Sequence, residues 1–363
     1  MKYAISKLVL GSDLSEIEAS AAIEEIMEGV ATPSQIAAFL TAIRMKGVNV
    51  DELTAFASVM RKHALKIYPK VDSRLVDTCG TGGDKLKTFN ISTIAAFVTA
   101  GAGVPVAKHG NRSFTSKCGS ADLLEKLGVN INTDPLTVQT SIEQAGIGFM
   151  FAPIFHPAMK HASVPRREIG IMTVFNVLGP LTNPAGAKAQ IVGVYDDSLV
   201  MPLAQVLRRL GVEDVMVVHG EGGIDEISPV GKTHVARSIE GKNGIREESL
   251  DPLTSFGLKQ RTYEEISAEG ADIDAYAMMA LCVLSPDGKE LTPKEFATKE
   301  MVLMNSAGTL VTSKKADGYR EGIELAKKSI ESGSARDKLV SLVKHTNGDP
   351  GRIESLMKKS AKN

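Results

Sequence analysis

The chain has no tryptophan and only three cysteines, Cys79, Cys118 and Cys282, in 363 residues. The cysteines are odd in number and far apart, with no CxxC or Cys/His spacing among them. That excludes a disulfide framework and a structural zinc site, and it suits a cytoplasmic protein. Aromatic residues are scarce at 5%, which removes the stacking platforms that single-stranded nucleic acids use. A charge excess is missing too, since 42 Lys and Arg against 43 Asp and Glu leave a net charge of -1. Nucleic-acid-binding domains carry a basic excess, so no nucleic-acid partner is expected. Met1-Lys2-Tyr3 leads into no apolar run, so no signal peptide is read there. One uncharged stretch, Thr88 to Ala107, has the length of a membrane span, but Asn90, Ser92, Gly101, Gly103 and Pro105 interrupt it. Burial as a helix and a strand inside a sheet protein explains it better, and no membrane is expected.

What remains is an ordinary globular composition, 43% hydrophobic and 23% charged. At ~150 residues per domain, the length suits two domains, or one large domain with an appendage. The 33 glycines are many for a helical bundle and point to loops that need bare backbone.

The chain opens with helical signals. Ser15-x-x-Glu18 starts a helix that stops at Gly29, and Thr32-Pro33-Ser34-Gln35 starts a second with proline at its first position. Asn49-x-x-Glu52 starts a third, running to about Ala64. Ile36, Phe39, Leu40 and Ile43, then Leu53, Phe56 and Val59, supply their apolar faces. Three short amphipathic helices make a small helical domain.

From Lys70 onward, short apolar strands alternate with helices. Strands are expected at Leu75–Asp77, Val104–Ala107, Ile147–Phe151, Gln190–Tyr195 and Asp214–Val218. Helices are expected at Ile91–Ala100, Ala121–Leu127 and Leu203–Leu210, and further on at Asp272–Leu284 and Gly318–Ser332. The alternation argues an α/β fold, a mostly parallel central sheet flanked by helices.

Three polar loops each follow a strand, and in a parallel sheet such loops gather on one rim. The first runs from Cys79-Gly80-Thr81-Gly82-Gly83-Asp84 through Thr88-Phe89-Asn90-Ile91-Ser92-Thr93 into a helix. It lacks the Gly-Lys-Ser/Thr ending of a P-loop and the third glycine of a dinucleotide-binding turn. By its glycines alone it is a tight strand-to-helix turn. Asp84 and Ser92 shift the reading toward a phosphate cradle with a bridging divalent cation. The second loop, Lys108 to Ser116, gathers two cations, an imidazole, a carboxamide and three hydroxyls, which suits a multiply charged phosphate ligand. The third, His219 to Ser228, carries Asp225-Glu226, which opposite such a cradle become magnesium ligands. A fourth segment spans His156 to Arg166-Arg167, with Arg166 about three helical turns after His156, then a Gly/Pro-rich turn at Phe175–Pro184.

Together these segments resemble the anthranilate phosphoribosyltransferases of tryptophan biosynthesis, over nearly the whole chain. The likeness is most specific in Gly80–Asp84, Thr88–Thr93, Lys108–Ser116 and Phe175–Pro184. It implies a small helical domain at 1–69, joined by a later helical segment at about 166–184, and an α/β donor-binding domain at 70–363. It also implies a homodimer formed through the helical domain. The implied enzyme, a pentosyl transferase, moves phosphoribose from 5-phosphoribosyl 1-pyrophosphate (PRPP) to the amine of anthranilate, with two magnesium ions. By position, the resemblance places PRPP on Gly80, Gly83, Asp84, Thr88, Asn90, Ile91, Ser92, Thr93, Lys108, His109, Gly110, Asn111, Arg112, Ser113, Phe114, Thr115, Ser116 and Ser120. Anthranilate falls to Gly80, Asn111 and Arg166, and magnesium to Ser92, Asp225 and Glu226, with Asp84 close by. Three positions depart from the common pattern: Lys85 where glycine often stands, Met172 where arginine is frequent, and Cys118 where serine is frequent.

Breaking the bond to pyrophosphate builds an oxocarbenium-like centre and a highly charged leaving group. The protein must chiefly stabilise that group and align the amine. An aromatic amine is neutral at pH 7, so the lack of a catalytic dyad fits. His109 is the candidate catalytic residue, either accepting a proton late or only orienting the substrate. Two rival readings are a pyrimidine nucleoside phosphorylase and a non-catalytic nucleic-acid-binding relative. The first needs base-recognition residues in place of Arg166 and Asn111, and the second should be basic and lose the phosphate loops.

Overall fold

The structure, a computed structural model, describes residues 1–84, 86–113, 117–239, 244–286 and 290–360. Its N-terminal region has four helices, at Lys2–Val9, Glu16–Met27, Pro33–Lys46 and Val50–His63. The three read from the sequence each begin with a reciprocal capping box, Ser15 with Glu18, Thr32 with Gln35 and Asn49 with Glu52. Each such cap contributes about 1 kcal/mol. Lys2–Val9 has no side-chain cap, which is why the sequence pattern passes over it. Glu52 is fully buried, and its carboxylate accepts from Leu14 N at 2.9 Å, Asn49 N at 3.0 Å and Lys46 Nζ at 2.8 Å. A cap carboxylate thus also ties the chain entering the second helix to the fourth. Phe39 and Phe56 meet edge to face at 5.8 Å within this layer.

The sheet has seven strands: β1 Val76–Gly80, β2 Val106–Gly110, β3 Ile147–Phe151, β4 Ala189–Gly193, β5 Asp214–Gly220, β6 Thr233–Ser238 and β7 Ile245–Leu250. Their order is β3-β2-β1-β4-β5-β6-β7. The first five strands are parallel, and β6 and β7 continue the edge antiparallel. The expected parallel sheet is present. The two edge strands were not expected, because β7 is Ile-Arg-Glu-Glu-Ser-Leu and mostly solvated, without the apolar run of a buried strand. Strands β1 and β2 begin one and two residues later than expected and run three residues further. Thr78, Cys79, Lys108 and His109 look like loop residues, yet they lie in strands with their polar groups turned inside.

On one face, the long Pro293–Thr312 helix packs beside Ile91–Gly101 and Tyr319–Glu331. On the other, the Val200–Arg209 helix meets the N-terminal helices. Ile23, Phe39 and Phe56 belong to one continuous apolar cluster with Leu203, Leu207, Val192 and Val217, so the core runs from the helices into the sheet face without a break. The Lys160–Ile169 and Val174–Leu178 helices pack onto the N-terminal helices as well. Arg61 pins this junction, its Nε donating to Leu181 O at 2.7 Å and its Nη1 to Leu210 O at 2.9 Å. Among the described residues, no helix is long and apolar enough to cross a membrane.

Candidate active site

A cleft of about 320 Å³ opens over the carboxyl ends of β1, β2 and β5, roofed by the 166–180 segment. Every described residue that the sequence assigned to donor, acceptor or metal lines it. Phe114, Thr115 and Ser116, and also Lys85, lie outside the described residues.

The glycine turn leaves β1 with Gly82 and Gly83 at φ +63° and +84°, a region that glycine enters without strain. Thr81 fixes the turn to β4: its N–H donates to Gly193 O at 2.9 Å, and its Oγ1 accepts from Tyr195 N at 3.2 Å. Asp84 follows, with the Lys87 ammonium donating to its carbonyl at 3.0 Å and lying 3.5 Å from its carboxylate. The Ile91–Gly101 helix then begins without a side-chain cap. Asn90 instead donates through Nδ2 to Cys118 O at 3.1 Å, leaving its buried Oδ1 without a partner among the described residues.

The acidic loop after β5 crosses directly over the ends of β1 and β4, and two glycines make this possible. A β-carbon on Gly80 would lie 3.1 Å from Asp225 Cγ and overlap its carboxylate. One on Gly193 would overlap the Asp225 carbonyl and lie 3.1 Å from its Cα. Gly80 therefore acts first as the space into which Asp225 fits. Asp225 Oδ2 accepts from Gly82 N at 2.9 Å, and Glu226 Oε1 accepts from Ser92 N at 3.0 Å. Glu226 thus takes up a donor at the very helix start that the sequence had offered to phosphate. Asn305, a lone carboxamide in the long apolar helix, clamps the loop's far end by accepting from Ile227 N at 2.8 Å and donating to its carbonyl at 3.0 Å. The sequence reading missed it, although an asparagine in so apolar a helix is a signal of its own.

These carboxylates crowd one another. Burial, then the neighbouring Asp225, pushes Asp84 up to about 6, and Glu226 is driven well above the carboxylate range by burial, then by Asp225. Asp225 is raised by burial as well. Lys87 and Lys108 offset this only in part. Such a group is relieved by a divalent cation, so the residues fit one. Among the described residues no three His, Cys, Asp or Glu converge closely enough to chelate an ion alone. A cation there would complete its shell from phosphate oxygens and water.

Lys108 and His109 lie in β2, both buried, and not in the loop after it where the sequence reading placed them. Lys108 Nζ donates to Thr78 O at 2.5 Å and Ser92 Oγ at 3.3 Å. The His109 backbone N–H donates to buried Asp77 at 3.2 Å. Burial depresses the His109 imidazole to about 3 and that of His156 to about 4. Their rings lie 5.0 Å apart, and both Nε2 atoms are buried without a partner among the described residues. Both imidazoles are neutral at pH 7.

Arg166 does not share one helix with His156. The chain breaks into a short helix at Ala152–Phe155, a tight turn at Pro157–Met159 and a new helix at Lys160–Ile169. Pro157 holds the preceding His156 out of helical backbone, at φ -122° and ψ 63°, and so breaks the simple three-turn spacing. Arg166 lies over the Phe175 ring at 5.3 Å, burial lowering its pKa. The thioether of Met172 lies against Gly83, from which a β-carbon would be 3.0 Å to its Cε. Arg112, read as a phosphate cation, is exposed and ion-paired with Asp122 at 2.7 Å and Glu125 at 2.9 Å. Ser120 is the first helical residue after the Gly119 N-cap, and its Oγ donates to Asn111 O at 3.2 Å.

Residues 72–336 match the α/β domain of a glycosyl transferase family, and residues 2–64 match the helical bundle domain of that family. The anthranilate phosphoribosyltransferase of Pelotomaculum thermopropionicum is 51% identical over 348 residues, covering 95% of this chain and 96% of the relative. That of Persephonella marina is 47% identical, covering 96% and 99%. The crystal structure of the Thermus thermophilus enzyme of this name superposes with a TM-score of 0.86 at 38% identity, covering 95% of this chain and 99% of that one. The Saccharomyces cerevisiae enzyme in complex with PRPP and Mg superposes at 0.85 and 28% identity, covering 95% and 97%. The same yeast enzyme in complex with 4-fluoroanthranilate superposes at 0.82 and 28%, with the same coverage.

Proposed function

This chain belongs to the anthranilate phosphoribosyltransferase family, and from that premise we infer how its cleft moves the phosphoribosyl group of PRPP onto the amine of anthranilate. The products are N-(5-phosphoribosyl)anthranilate and pyrophosphate, in tryptophan biosynthesis. One observation carries the assignment of residues: a glycine turn, a crowded carboxylate pair and a half-buried arginine converge on a single cleft.

In this reading the Gly80–Asp84 turn, Ser92 and the Lys108–Ser113 segment receive the diphosphate end of PRPP. Asp225, Glu226 and Ser92, with Asp84 beside them, hold magnesium, as two ions. Magnesium bound there would neutralise negative charge as pyrophosphate departs. Lys87 adds a cation on the same side, at the edge of the turn. Arg166 takes the carboxylate of anthranilate, and Asn111 and Gly80 flank it. His109, with its proton affinity so depressed by burial, orients the substrate and does not store a proton. The arriving amine is neutral already, so alignment and charge stabilisation suffice.

Arg166→Ala should raise the Michaelis constant for anthranilate by roughly tenfold or more and leave that for PRPP nearly unchanged. A carboxylate loses a charge-assisted partner there, on the order of 1.5–3 kcal/mol. Loss of anthranilate fluorescence in the presence of PRPP and magnesium reads both constants. An equal rise in both would show Arg166 organising the roof of the cleft instead.

Residues 1–69, with the 166–184 segment, form the helical lobe in this proposal, and the rest forms the donor-binding domain. We place a homodimer interface on that lobe, because Leu10, Ile17 and Met45 are more than 80% exposed there, an unusual cost for large apolar side chains facing water. A solution mass equal to one chain would exclude it. The cytoplasm is the proposed compartment, in keeping with only three cysteines, far apart, in 363 residues.

A further inference from the structure

Residues 260–268 contribute nothing to the cleft lining, yet they hold both loops that do. Gln260 Nε2 donates to Val230 O at 2.5 Å, and Arg261 N donates to Pro229 O at 2.8 Å, just beyond the acidic loop. Arg261 is itself anchored on Glu300 at 2.5 Å. Before Asp225, the loop passes Gly222 and Gly223, at φ +91° and +73°, two residues without side chains to hold them. The ring of Tyr263 lies flush on that backbone, since a β-carbon on Gly222 would come 2.5 Å from its Cε1. Further on, Ser267 forms an antiparallel bridge with Thr88, and Ala268 N donates to Lys87 O at 2.7 Å. Lys294 Nζ donates to Ser267 O at 2.8 Å and holds this end.

We propose that residues 260–268 are a positioning strap that keeps the glycine turn and the acidic loop in register, with Tyr263 as its acting side chain. The strap grips the acidic loop on both sides of Asp225-Glu226. It fixes the main chain of Lys87, whose ammonium sits beside Asp84. One rigid segment therefore sets the separation between the carboxylates and the turn that faces them. Nothing described in it reaches Arg166, so its influence is confined to the donor and metal side. This inference rests on the assignment of PRPP and magnesium to those two loops.

The test compares Tyr263→Ala, Tyr263→Phe and Lys294→Ala with the wild type, titrating PRPP, magnesium and anthranilate separately. Tyr263→Ala should raise the PRPP Michaelis constant and the magnesium midpoint on the order of tenfold, because small misplacements of binding groups carry large penalties. The anthranilate constant should stay put. Tyr263→Phe keeps the ring and should behave as wild type, and Lys294→Ala should move the same two constants by less. Tyr263 is 42% exposed, and Lys294 is exposed on another helix, so the second variant stands if the first melts early. Unmoved PRPP and magnesium constants, or an equal rise in all three, would overturn the strap. Asp225→Asn measured alongside separates the two layers. If it shifts the magnesium midpoint while the Tyr263 and Lys294 variants do not, the strap alone fails. If it too shifts nothing, the loop assignment fails with it.

Discussion

Asp225→Asn combined with Glu226→Gln should yield a folded protein whose turnover falls on the order of 100- to 1,000-fold, the scale seen when one charge-stabilising group is removed from an active site. The fold should survive for a specific reason. Each carboxylate accepts one backbone N–H, from Gly82 and from Ser92, and an amide oxygen accepts the same bond. Neutralisation also removes the cost of burying two charges, and with it the repulsion that adds to burial in raising Glu226 and Asp84. What is lost is the negative charge that would hold magnesium against departing pyrophosphate. Raising magnesium should recover part of the rate, because weakened affinity is a mass-action deficit. Turnover against magnesium concentration, with circular dichroism for the fold, decides it. An unchanged magnesium midpoint would remove both residues from the metal site and leave Asp84 and Ser92 as candidates.

Gly193→Ala should be the most damaging single methyl group in the cleft region, costing about 3 kcal/mol or more and most of the activity. The added carbon would occupy the position of the Asp225 carbonyl. The loop cannot withdraw, since Asn305 holds Ile227 by two hydrogen bonds and Gly82 holds the Asp225 carboxylate. Gly193 also sits in the ladder between β1 and β5. Gly318→Ala is the matched control, at a glycine with nothing within 4 Å of the new carbon. It should cost less than about 1 kcal/mol. Denaturant unfolding of the two variants measures the difference. A Gly193→Ala protein as stable as Gly318→Ala would mean that the acidic loop does not rest where the geometry puts it.

Much of this architecture was legible in the sequence wherever the signal is local. The capping boxes at Ser15, Thr32 and Asn49 sit next to the helices they start, and Ile147–Phe151 is an apolar run that is wholly buried. Legibility ended where a polar residue is satisfied from far along the chain. Lys108 reads as a loop cation until Thr78 and Ser92 come to meet it. Arg112 reads as a cation open to phosphate, and nothing local shows that Asp122 and Glu125 pair with it. Gly193 carries no local mark at all, since its reason is the carbonyl of Asp225, a helix, a strand and a loop later. The candidate site residues were legible as a group because three strand-end loops must share one rim, but the order within the rim was not. That Glu226 accepts from Ser92 N at the helix start depends on strand order, and sequence does not display strand order.

The unbroken apolar cluster that joins Phe39 and Phe56 to Leu203 and Val217 bears on how the molecule comes apart. A lobe with a separate interior could melt on its own and leave the sheet standing. Here, removing the N-terminal helices would strip the outer side of the Val200–Arg209 helix, which itself packs on β5, so neither part is a free-standing folding unit. Heat or denaturant should therefore meet a single cooperative block. Any widening of the cleft must proceed by small sliding of packed side chains, as in a shear motion, because there is no empty seam along which the lobe could swing away.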